Sequence, residues 1–173
     1  PLVSASDSLP AVIGILVIVH VLWFAGLHGV NVVVAIINPI ILTNLAMNQE
    51  ALQAGEKATK ILAGGFLDAF VYLGGAGATL GLSIAMFLSK KDHIKSIGKI
   101  SLIPGIFNIN EPIIFGAPIV MNPILFIPFL FTPIINATIA WFCVKSGIVG
   151  HIVSLVPWTT PAPVGALLAT NFS

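Results

Sequence analysis

The stretch FNINEPIIFG, residues 107–116, sets one carboxylate, Glu111, between asparagines and a proline inside an otherwise apolar run. No neighbour in sequence carries an opposite charge. The rest of the 173-residue chain makes that acid stand out further. It is 57% hydrophobic and 8% charged, with mean hydropathy +1.08, where a soluble domain carries about a quarter charged residues. Sixteen glycines and twelve prolines exclude a uniform helical bundle. The fold class this implies is an all-α integral membrane protein: a bundle of transmembrane helices interrupted by re-entrant helical hairpins. A carboxylate at membrane depth costs about 2.5–3.5 kcal/mol on insertion scales, which makes Glu111 a functional candidate by default. Pro112 disfavours helical backbone at the residue before it, so Glu111 is expected on an extended turn, projecting beside the amides of Asn108 and Asn110. There it suits a general base or a strong hydrogen-bond acceptor. The competing reading is a loop acid at the water interface.

Charge narrows the partners. The net charge is +1, and all seven basic residues are lysines. The absence of arginine argues against a surface that tracks nucleic-acid phosphates. The single cysteine, Cys143 in WFCVKSG, gives no disulfide framework and no metal pair, and reads as a small apolar filler. The chain opens at Pro1 without a signal-peptide pattern and is read as a piece of a longer protein.

Four apolar blocks follow one another. Residues 10–42 would make a straight helix about 50 Å long, against a hydrocarbon core of about 30 Å. A break is therefore expected, at AGLHGVN or at Asn38-Pro39. The polar stretch 43–60 reads as an extramembrane loop or short surface helix. Residues 61–88 carry six glycines; a re-entrant hairpin turning near GGAGAT, followed by a return helix, fits as well as one plain span. KKDHIKSIGK, residues 90–99, has four lysines and one acid, which places it on the cytoplasmic side. Residues 100–144 divide at Met121-Asn122-Pro123 into a re-entrant part with the NEP turn and a spanning helix. In the last block, 147–172, VPWTTPAPVG cannot be regular helix because three prolines fall within seven residues. Irregular backbone at membrane depth survives only against protein or a water-filled cavity, and such broken segments usually line a substrate site.

His28 in WFAGLHGVN has glycines at 26 and 29 around it, Trp23 before it and Asn31 after it. Aromatic, imidazole and amide together suit a sugar, the ring stacking on a C–H face and the polar groups taking hydroxyls. A histidine bonded to a carbonyl is the alternative. A metal pair of His20 and His28 lacks a third ligand. Asp68 in GGFLDAFVY fits a helix terminus, a packing role or the same cavity. Trp158 is either an interfacial anchor or a stacking platform, the prolines around it favouring the second. GGAGATLGL lacks the G-K-[ST] ending of a phosphate loop, so no cofactor and no metal is implied.

IPGIFNINEPIIFGAPIVMNPILFIPF (103–129), WFAGLHGVN (23–31) and PWTTPAPVGALLAT (157–170) resemble, in order, the enzyme IIC membrane component of sugar phosphotransferase systems, in its lactose/cellobiose/diacetylchitobiose family. The resemblance covers essentially the whole chain. It implies a multi-pass permease of the bacterial inner membrane, homodimeric at full length, with about ten transmembrane helices and two re-entrant hairpins. Residues 1–173 would be its C-terminal, substrate-binding domain. Such a protein binds a β-linked disaccharide and presents its 6-hydroxyl to a phosphocysteine on the cytoplasmic partner, enzyme IIB. It is a transport-coupled phosphotransferase only together with that partner and the N-terminal half. Carried over to this sequence, Glu111 binds and helps deprotonate the hydroxyl and His28 hydrogen-bonds the sugar beside it. Asn110 follows within the motif, and Trp23, Trp158 and Asn31 are further substrate contacts. Two other classes compete: a proton-coupled sugar transporter, in which Glu111 carries a proton, and a membrane segment with no binding of its own.

Overall fold

A computed structural model describes residues 6–172. The described residues are helical or irregular, with no strand among them. Helix α1 spans Leu9–Phe24 and α2 spans Gly29–Gln53, followed by a π-helical turn, Leu67–Val71. Then come α3 (Leu80–Phe87), α4 (Asp92–Ile106), the short α5 (Glu111–Gly116), α6 (Pro123–Lys145) and α7 (Ala162–Ala169). α1 packs against α2 and α6, α3 pairs with α4, α4 meets α5, and the π-helical turn is held between α6 and α7.

Among the described residues two helices, α2 and α6, are long and apolar enough to cross a membrane. Only 22% and 28% of their most apolar windows is buried, the opposite of a core helix in a water-soluble protein. On α6, Ile124, Ile127, Phe131, Ile135, Ile139 and Phe142 are all exposed at helical spacing, which makes one continuous apolar face.

The first block breaks at residues 25–28, within AGLHGVN. Pro39 does not break α2 but lies inside it. α2 also runs on through residues 43–53, a correction to the reading of that stretch as a loop or short surface helix. Asn44 and Asn48 point inward from it, while Thr43, Gln49, Glu50 and Gln53 are exposed. Asn44 Nδ2 donates to Leu62 O at 2.8 Å. Asn48, 1% exposed, uses its whole amide: Nδ2 donates to Lys60 O at 2.8 Å and Ile152 O at 2.9 Å, and Oδ1 accepts from the N–H groups of Thr59 (3.2 Å) and Lys60 (2.9 Å). One side chain thus ties α2 to two irregular segments whose carbonyls would otherwise be unpaired.

Residues 61–88 are no plain span: the chain reverses at 72–79, where the hairpin reading set its turn, and α3 follows as the return helix, but the arm before the turn is a loop and the π-helical turn rather than a regular helix. The split at Met121-Asn122-Pro123 is where α6 begins, its first turn capped by Asn122 Oδ1, which accepts from Ile124 N–H at 3.1 Å. KKDHIKSIGK is the start of α4, with all four lysines exposed. Residues 153–161 are irregular before α7.

Two apolar clusters hold these parts together. One gathers Leu16, Leu45, Leu62, Phe66, Tyr72 and Trp141; the other gathers Val19, Trp23, Met86, Ile113, Ile114 and Phe129. Tyr72 from the first and Trp23 from the second both line one cavity.

Candidate functional site

The cavity has a volume of about 390 Å³, within the range of small-molecule sites. Three chain reversals build it. The α1–α2 turn brings Trp23, His28 and Asn31, the glycine-rich reversal brings Tyr72, Gly75 and Ala76, and the loop into α5 brings Asn108, Asn110 and Glu111. Asp68 and Trp158 complete the polar and aromatic lining. The six residues singled out from sequence, Glu111, His28, Asn110, Trp23, Trp158 and Asn31, therefore all lie on one cavity.

Glu111 is the first residue of α5, not part of an extended turn. Pro112 takes the second helical position, where the missing N–H has no intrahelical partner to lose. The Glu111 side chain is 46% exposed and its Oε1 lies 3.6 Å from His28 Nε2. That gap is longer than a direct hydrogen bond. His28 caps α2, its Nδ1 accepting from Asn31 N–H at 3.3 Å. In the neutral ring the proton is then on Nε2, which faces the carboxylate. The Trp23 ring is 4.4 Å from that of His28. Trp23 is 4% exposed, so it presents a wall and a rest for the imidazole rather than an open platform, whereas Trp158 is 56% exposed.

The two asparagines beside Glu111 are buried and spoken for. Asn110 Nδ2 donates to Ala76 O and to Thr79 Oγ1 (3.2 Å). Asn108 Oδ1 accepts from Gly74 N–H at 3.1 Å, and its Nδ2 donates to Trp158 O at 2.8 Å and Thr160 O at 3.1 Å. Gly75 sits against them at φ +90, where a β-carbon would lie 2.5 Å from the Asn110 side-chain carbon. His20 fastens the same reversal to α1: one ring nitrogen lies 2.6 Å from Leu16 O and the other accepts from Gly77 N–H at 3.0 Å. Both nitrogens are engaged by backbone, so His20 offers no lone pair to a metal. Among the described residues no group of three metal-ligating side chains is found.

Sequence reasoning singled out the site's charged and aromatic members but not Tyr72, Gly75, Ala76 or Asn108 as lining residues. The glycine cluster was the available sign for Gly75; nothing local marks Tyr72. Asp68, left open, is on the cavity. Among the described residues, the lining holds two carboxylates and no lysine. That electrostatic character suits a neutral polyhydroxylated ligand better than an anion.

The sequence profile described as "Phosphotransferase system, EIIC" matches residues 2–133. A lichenan permease IIC component from Bacillus subtilis (strain 168) is 45% identical over 152 residues, covering 87% of this chain and 34% of that protein. A lactose-specific EIICB component from Lactococcus lactis subsp. lactis is 40% identical over 99% of this chain and 30% of that protein. The crystal structure of the transporter ChbC, the IIC component of the N,N'-diacetylchitobiose-specific phosphotransferase system, is similar with TM-score 0.95 and 38% identity, covering 100% of this chain and 40% of that one. The chain thus spans about a third of the length of the curated relatives it matches.

Proposed function

The chain belongs to the EIIC family of the phosphotransferase system, and from that premise we propose that residues 1–173 form the sugar-binding part of a multi-pass inner-membrane permease. Its substrate is a β-linked disaccharide, held in the cavity with its 6-hydroxyl between His28 and Glu111. The observation that carries this is the 3.6 Å space between His28 Nε2 and Glu111 Oε1 on a 390 Å³ cavity. A hydroxyl placed there accepts from Nε2–H and donates to the carboxylate, satisfying both groups at once. Asn31 and Trp158, both exposed, offer further contacts on the rim, and the buried Trp23 and Asn110 line the same cavity from its wall.

In the reaction, the 6-hydroxyl oxygen attacks phosphorus on the phosphocysteine of enzyme IIB. The new P–O bond forms as the P–S bond breaks, the hydroxyl proton passes to Glu111 and the thiolate leaves with the partner. Phosphoryl transfer asks for in-line positioning and a base at the attacking oxygen more than for covalent chemistry from the protein. The two carboxylates of the lining disfavour the dianionic product, which assists its release. The exposed apolar face of α6 meets lipid or the remainder of the full-length homodimer, and the lysines of 90–99 stand on the cytoplasmic side.

The test is a panel of cellobiose, lactose and diacetylchitobiose on the full-length protein, with and without phosphorylated enzyme IIB. Phosphorylated sugar formed only with the phospho-partner is the expected result. Proton-coupled uptake of unmodified sugar would replace this reading with that of a secondary transporter.

A further inference from the structure

Glu111 and Trp158 come from separate segments, and no described helix joins the two walls of the cavity that they form. One side chain does. Asn108 is 6% exposed and its three side-chain hydrogen bonds run to backbone in other segments: one accepted from Gly74, two donated to Trp158 and Thr160. Its own backbone has φ 63, a left-handed conformation that asparagine tolerates better than most residues. The carboxamide is matched to these demands. An aspartate keeps the acceptor for Gly74 N–H but sets a negative oxygen against two carbonyls. A leucine fills the space and leaves three backbone groups unpaired.

We propose that Asn108 is a positioning residue for the sugar: it fixes the Trp158 segment relative to Glu111 and so sets the width of the cavity across the disaccharide. Asn108 itself does not touch the reacting atoms. Its effect is on how tightly the ligand is held, and it reaches the ligand through the placement of Trp158. This rests on the functional reading above and adds to it the residue that shapes the far wall.

Two variants of the full-length protein separate this from a general folding role. Asn108→Gly keeps the left-handed backbone and deletes the amide. Asn108→Asp keeps the shape and the Gly74 bond but loses both donors. Each is compared with wild type for sugar affinity by titration calorimetry and for phosphorylation rate with phospho-enzyme IIB. The protein also carries 5-fluorotryptophan, the Trp158 resonance being assigned by Trp158→Phe. Both variants are expected to bind the disaccharide about ten- to a hundredfold more weakly and to raise KM by the same factor. The rate at saturating sugar stays within about threefold of wild type, because the Glu111–His28 pair is not altered. The Trp158 fluorine line moves or broadens in both variants before any sugar is added.

An unmoved Trp158 line overturns the tether, and so does unchanged affinity with a moved line. A fall in kcat equal to the rise in KM, with lowered thermal stability, assigns Asn108 to folding alone and overturns the proposal. Wild-type protein that binds none of the three sugars removes the functional reading, and the fluorine line alone then decides the tether.

Discussion

Glu111 Oε1 faces His28 Nε2 across 3.6 Å although the two residues lie on different chain reversals. The backbone N–H of Asn31 occupies the other nitrogen of the imidazole, so the helix cap of α2 also sets which nitrogen of His28 looks at the carboxylate. Folding and site chemistry share one ring.

Replacing Glu111 with glutamine keeps the volume and one acceptor but removes the base. Phosphorylation by phospho-enzyme IIB is expected to fall about 10²–10⁴-fold, while sugar affinity measured by calorimetry falls far less. Unchanged turnover would remove Glu111 from the mechanism.

His28→Ala and Trp141→Ala are expected to dissociate affinity from stability. His28→Ala takes away a cavity group and a cap worth about 0.5–2 kcal/mol, and sugar binding weakens strongly. Trp141 is buried in the other apolar cluster, 7% exposed and away from the cavity lining. Its truncation costs about 3–5 kcal/mol of stability and leaves the affinity of the folded fraction near wild type. Equal losses of affinity in the two variants would leave His28 a capping and packing residue only.

Asn48→Ala removes a side chain that makes four hydrogen bonds to backbone. The carbonyls of Lys60 and Ile152 and two N–H groups lose their partner, at a cost of about 2–4 kcal/mol. Thermal unfolding in detergent should show a clearly larger fall than Asn122→Ala, where a single cap is worth about 1 kcal/mol. A smaller effect for Asn48 would mean that water replaces its bonds.

At Gly75 an added methyl group meets both the left-handed backbone and the Asn110 side chain. Gly75→Ala is expected to cost about 1–3 kcal/mol and to displace Asn110, lowering sugar affinity while the helical content seen by circular dichroism stays unchanged. Wild-type affinity in that variant would show that the reversal yields without disturbing the cavity.

The break before His28, the start of α6 after Met121 and the irregular stretch around Trp158 were legible in the sequence because each depends on glycine or proline acting locally. Two features were not. Asn44 and Asn48 look like loop residues, yet they sit inside α2 with backbone partners on other segments, and no local pattern announces a partner so far along the chain. Pro39 looks like a helix end, yet α2 continues past it, since ending there would leave more backbone groups unpaired in an apolar setting than one proline does. The site divides the same way. Glu111 stands out because its charge is expensive, and His28 because glycines flank it. Asn108 and Tyr72 acquire meaning only once the reversals are brought together.

The contact between Trp23 and His28 also gives the chain an optical property. A buried indole with an imidazole 4.4 Å away is a fluorophore beside its own quencher, and imidazolium quenches indole emission more strongly than the neutral ring does. Light emitted by Trp23 therefore registers the placement of His28, and in a chain whose other tryptophans, Trp141 and Trp158, are replaced by phenylalanine it reports what settles against that ring.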